Sequence, residues 1–181
     1  MEKQVETIEK PAAKTLEIVI PGYRMHSQMF NNMLDGIRQE DAQKRIQDKT
    51  NHFAWMVGNL VNCRYWVANV LGVPGEDPNA GLFKDGKALD VNAQYPSLEE
   101  LKNEWHKISP TLYQRLMSIT EAELHEAHEF GMNISYVEEN KLNMVGMGID
   151  RESYLFGQLG LMRKALGYDA VRYDTNDQLS Y

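Results

Sequence analysis

Glu152 is the residue of this 181-residue chain whose position most invites chemistry. It falls three residues after Ile149 and seven before Leu159, on what reads as the buried stripe of a helix. Asn59 has the same character between Met56 and Cys63, and His26 lies just before the Met29/Met33 face of an earlier helix. His52 precedes Asn59 by seven residues, two helical turns. A carboxylate on an apolar stripe is costly unless paired, and a buried amide needs hydrogen-bond partners. These groups are therefore expected to meet in a polar pocket between helices. Two readings stay open: a satisfied structural network or solvated cleft, and a ligand pocket. In an enzymatic version of the second, Glu152 acts as general acid or base with His26 or His52. Burial raises the pKa of such a carboxyl group and a partner arginine lowers it.

The other candidates carry less. His125 and His128 are three apart on a strongly polar segment outside the expected bundle, which reads as solvated surface. His106 follows Trp105 on the polar side of its helix and is expected to be exposed. Cys63 sits on a buried stripe without lysine or histidine four residues away, so a structural role is the default, although Arg64 adjoins it. The run from Asp77 to Gly81 lacks the spacing and closing glutamate of a calcium loop. No phosphate-binding glycine loop, Gly-x-Ser-x-Gly elbow or His-Glu-x-x-His motif occurs.

Helices must position these groups. Residues 1–20 read as a flexible N-terminal segment, and the first helix opens near Pro21, with Met25, Met29, Phe30, Met33, Leu34 and Ile37 at helical spacing. Thr50 or Asn51 caps the second helix, whose stripe runs from Phe53 through Met56, Leu60, Cys63 and Val67 to Leu71. Gly72 and Pro74 stop it. Residues 72–96 carry no sustained period, which suggests a long crossover between helices two and three. Ser97 and Glu100 form a capping box ahead of helix three, where Pro110 predicts a kink or break. Residues 120–131 add a short surface turn of helix, and the last helix spans about 136–166, with Gly167 as its stop. The fold class is all-α, a four-helix bundle over residues 21–167 with a polar tail at 168–181. Trp66 is expected to face outward, which suits a helix-to-helix homodimer.

Composition limits the partners. A net charge of −7 disfavours nucleic acid and anionic membranes, since neither polyanion would be attracted. No apolar run is long enough for a transmembrane helix, and the polar N-terminus lacks the apolar core of a secretory signal. The single cysteine fits a cytoplasmic protein.

Two segments carry a family resemblance. Residues 152–160, Glu-Ser-Tyr-Leu-Phe-Gly-Gln-Leu-Gly, continuing through Arg163 to Leu166-Gly167, resemble the last helix of the DinB/YfiT-like family. Trp55-Met56-Val57-Gly58-Asn59-Leu60 is similar to that family's Trp-x-x-Gly-His-Leu segment. The resemblance spans about Tyr23 to Gly167 and implies a helical bundle with a three-histidine site for a divalent metal such as zinc or nickel. It also implies metal-assisted transfer chemistry with low-molecular-weight thiols, or a related isomerisation. The three ligand positions hold Asn59, Arg151 and Leu155 here. Asparagine is a poor ligand for zinc or nickel, leucine is none, and arginine stays protonated. The expectation is thus a divergent member without the usual metal or other cofactor, its pocket formed by Asn59, Arg151, Leu155, Glu152, His26 and His52 and open to a small-molecule ligand. Arg151 either replaces part of the metal's charge and pairs with Glu152 or an anionic ligand, or points to solvent. The alternative is a metal-dependent thiol transferase or isomerase with a rearranged site.

Overall fold

Side-chain caps set where every α-helix but the first begins. In the computed structural model, which describes residues 9–131 and 134–181, Ser97 and Glu100 make the expected reciprocal box at the start of one helix. Thr120 and Glu123 make a second box, and Asn140 accepts from the Asn143 backbone N–H at the head of the last helix. The resulting α-helices are α1 (Val19–Leu34), α2 (Phe53–Val70), α3 (Leu98–Ser118), α4 (Glu121–Leu124) and α5 (Lys141–Ala165). No strand occurs among the described residues, so the fold is all-α. No described helix is long and apolar enough to cross a membrane.

The four long helices touch in a closed pattern: α2 packs on α3 and α5, and α1 packs on the same two. Their shared core includes Phe30 stacked on Trp105 with ring centroids 4.1 Å apart, and the fully buried Leu60, Leu101, Leu155 and Leu159. Two close approaches depend on glycine. A Cβ on Gly148 of α5 would lie 2.4 Å from Val67 Cγ2 of α2, and one on Gly58 would lie 2.1 Å from Phe83 Cζ. The second contact seats the middle of the connection between α2 and α3 directly on α2.

Several expectations need correction. The chain is ordered into the fold well before residue 20: Ala13 and Leu16 are fully buried, and a 3-10 turn at Lys14–Ile18 leads into α1. The expectation of a flexible segment over residues 1–20 is thus corrected for residues 13–18, and its first eight positions lie outside the described residues. Met25 is half exposed, because the first half of α1 turns Tyr23, His26 and Ser27 inward, while Phe30, Met33 and Leu34 of the expected stripe are buried. Pro110 lies within α3 without breaking it. His106 is half-buried, its Nδ1 2.8 Å from the Tyr181 hydroxyl and its Nε2 2.9 Å from Asn31 Oδ1. The C-terminal residues run back over α1, where Gln28 exchanges hydrogen bonds with the Asn176 backbone and Asn32 donates to Arg172 and Asp174 carbonyls.

Candidate functional site

The polar residues of the stripes separate into two assemblies. The first is sealed. Glu152 projects from α5 between α1 and α2 and is 2% exposed. Its Oε1 accepts from Arg64 Nε at 2.9 Å, and its Oε2 lies 2.9 Å from His26 Nδ1 and 3.3 Å from Arg64 Nη2. Arg64 of α2 is fully buried, donates further to Ser27 Oγ at 3.0 Å, and lies over the Trp105 and Tyr23 rings at 3.5 and 4.1 Å. Tyr23 in turn donates to the Ser109 carbonyl at 2.6 Å. Burial pushes the Glu152 carboxyl up, but the Arg64 charge and the hydrogen bonds from His26 and Arg64 outweigh it and hold the group below its ordinary range. Glu152 is therefore held ionised by an interior cation and is not poised to exchange protons with a substrate.

At its outer edge this network reaches solvent. His26 Nε2 lies 3.2 Å from the hydroxyl oxygen of Ser153, an exposed residue that also donates to the Ile149 carbonyl at 3.0 Å. The imidazole rests against Phe156, centroids 5.2 Å apart.

The second assembly borders a cavity of about 900 Å³ between α2, α5 and the connection after α2. Asn59 Oδ1 accepts from Arg151 Nε at 3.0 Å and Nη2 at 2.9 Å, so two of the positions singled out by sequence meet directly. Cys63, one turn further along α2, lines the same cavity with Trp66, Phe83 and Asp77. Burial, with the Glu152 charge adding to it, raises the Cys63 thiol far above its ordinary value, and its Sγ donates to the Gly148 carbonyl at 3.6 Å. Asp77 is itself buried, tied to Asn62 Nδ2 and the Asn79 backbone N–H at 2.9 Å each; desolvation raises its pKa. Trp66 does not stand free of the chain: it is half-buried, 5.3 Å from the Phe130 ring.

The remaining sequence-selected residues lie elsewhere. Leu155 is fully buried in the apolar core. His52, not Thr50 or Asn51, is the N-cap of α2. Its Nδ1 accepts from the Trp55 backbone N–H at 3.0 Å, and its ring meets Tyr95 edge-on at 4.6 Å. Burial lowers its pKa to about 4, with the Arg45 charge acting the same way. His52 lines neither the Asn59 cavity nor the cleft beside Ser153.

Arg64 and Ser153 escaped the sequence reading. Arg64 did leave a signal, since it stands four residues after Leu60 and three before Val67, on the stripe of α2. A cation there matches a carboxylate on the stripe of α5. Ser153 left none, because only the fold brings α1 and its histidine alongside.

The residues present do not fit a three-ligand metal site. Asn59 offers one ligating oxygen, and that atom already accepts from a guanidinium. Among the described residues no group of three or more His, Cys, Asp or Glu side chains is placed to hold an ion. Compared with known proteins, the chain matches no family model and no curated sequence.

Proposed function

We propose that the chain is a DinB-like four-helix bundle, with a long crossover between α2 and α3, whose pocket works without the usual metal and takes a small anionic ligand. One observation carries this reading: Arg151 is fixed by Asn59 at the wall of the 900 Å³ cavity, where the resemblance places a cationic metal. Only part of the guanidinium is spent on Asn59, and its other N–H donors suit a carboxylate or phosphate group. Trp66 and Phe83 offer apolar surface for the rest of such a ligand. The rearranged metal-dependent thiol-transferase or isomerase alternative is less well supported, because among the described residues no group of three or more His, Cys, Asp or Glu side chains is placed to hold the metal.

Thermal melts and calorimetry with a panel of small carboxylates and inorganic phosphate test the reading. A ligand that raises Tm for the native protein should lose that effect with Arg151→Ala and keep part of it with Arg151→Lys, which preserves charge without the planar fork. Equal shifts in all three proteins would exclude Arg151 as the anchor.

We also propose that the bundle pairs with a second copy. Ile18 and Met25 precede and occupy α1, Tyr154 and Leu161 sit on the adjoining α5, and each pair is seven residues apart and exposed. Leu161→Glu should then convert a dimer to a monomer in light scattering.

A further inference from the structure

The buried network opens to solvent through three side chains ordered as a carboxylate, an imidazole and a hydroxyl. Glu152 Oε2 lies 2.9 Å from His26 Nδ1, and His26 Nε2 lies 3.2 Å from Ser153 Oγ. An ionised carboxylate only accepts, so the Nδ1 facing it must carry a proton. With a single ring proton on Nδ1, the Nε2 lone pair accepts from the Ser153 hydroxyl once that hydroxyl turns from the Ile149 carbonyl, which it also reaches at 3.0 Å. Arg64 fixes the carboxylate from behind, and Phe156 holds the ring, so the tautomer and orientation are set before any substrate arrives. Ser153 is the exposed member, and it borders an open cleft of about 960 Å³ whose lining includes Val137, Met147 and Tyr154.

We propose that Glu152, His26 and Ser153 form a nucleophilic relay in which Ser153 is acylated by small carboxylic esters with apolar substituents. Ser153 Oγ attacks the ester carbonyl carbon while its proton passes to His26 Nε2. The carbonyl re-forms as the bond to the alcohol oxygen breaks, and His26 returns the proton to that oxygen. Water then attacks the acyl-serine by the same route, releasing the acid and restoring the hydroxyl. The net reaction is ester plus water giving acid plus alcohol, with no redox partner. Ser153 and His26 are the catalytic residues, while Glu152 and Arg64 position the ring. Ser153 lies in the interior of α5, where backbone N–H groups are engaged in the helix. The site therefore lacks the backbone oxyanion hole of fast hydrolases, and acylation at one serine, with slow release, is the expected behaviour.

The test uses the full chain with p-nitrophenyl acetate and, separately, a fluorophosphonate that traps activated serines with loss of fluoride. Intact mass and peptide mapping should show one adduct, on Ser153. Ser118 is an internal control, since it is also exposed and bonded to a helix carbonyl but has no histidine partner. Ser153→Ala should abolish the adduct without changing the melt. His26→Gln should slow labelling by about 100-fold or more, the usual share of a general base. If that variant does not fold, the ratio of Ser153 to Ser118 labelling in the native protein decides, and about 100-fold is again expected. Absence of an adduct, equal labelling of the two serines, or an undiminished rate in folded His26→Gln would overturn the relay.

Discussion

Replacing Glu152 by alanine strands the Arg64 guanidinium in the core. That cation has no solvent exposure, and its other partners are neutral: Ser27 Oγ at 3.0 Å, the Tyr23 carbonyl at 3.4 Å, and two aromatic faces. Removing one member of a buried pair costs about 3–5 kcal/mol, chiefly the penalty of the charge left behind. For a chain of this length each kcal/mol moves Tm by about 2–4 °C, so Glu152→Ala should lower Tm by roughly 6–20 °C. The double variant Arg64→Met/Glu152→Leu removes both charges and should recover most of the loss, because apolar replacement of a whole buried pair is often neutral or better. Urea unfolding of the native protein, both single variants and the double variant gives the coupling directly. A loss below about 1 kcal/mol in Glu152→Ala would refute the reasoning, since a value that small belongs to solvent-exposed pairs.

Three further outcomes follow from the geometry. His52 is neutral in the folded state, with a pKa near 4 against an ordinary 6.5, so the unfolded chain binds the extra proton between those values. Its contribution to stability is present above about pH 6.5 and is lost as pH falls toward 4; His52→Asn keeps an N-cap acceptor and should flatten that part of a stability–pH profile. Gly58→Ala drives a methyl group into the buried Phe83 ring and should cost about 1–3 kcal/mol in chemical denaturation, with Phe83→Leu in the same chain restoring part of it. Ser97→Ala removes the α3 capping box and should cost about 1 kcal/mol, read as an earlier melt without loss of helicity at 20 °C or so.

The fold was legible wherever a local signal stood alone. The capping box at Ser97, the stop after α2 and the stripe carrying Glu152 are properties of short windows, and the helices follow them. The face of α1 was legible from Phe30 onward but not at Met25, because methionine and tyrosine both suit a core. The choice of Tyr23 over Met25 depends on Arg64 and Ser109, neither of which is near in sequence. The site was legible by halves. Periodicity marked Glu152, Asn59 and His26 as polar groups on apolar faces, but it could not say which would pair. Glu152 went to Arg64 and not to its neighbour Arg151, because residues 151 and 152 point about 100° apart around the helix. His52 followed the helical spacing toward Asn59 but sits at the N-cap, where its backbone is already extended and its ring turns to the Trp55 N–H. Phe83, which walls the cavity, comes from a connection without periodicity, and only the missing side chain of Gly58 hints at where it lands.

Elemental analysis of untagged protein, equilibrated with zinc and nickel and then dialysed, tests the metal-free pocket most directly. With Asn59 bonded to Arg151 and Leu155 in the core, neither metal should remain at a stoichiometric level, and a chelator should leave Tm unchanged. One equivalent of either metal, retained by the native protein and lost with Asn59→Ala, would contradict it.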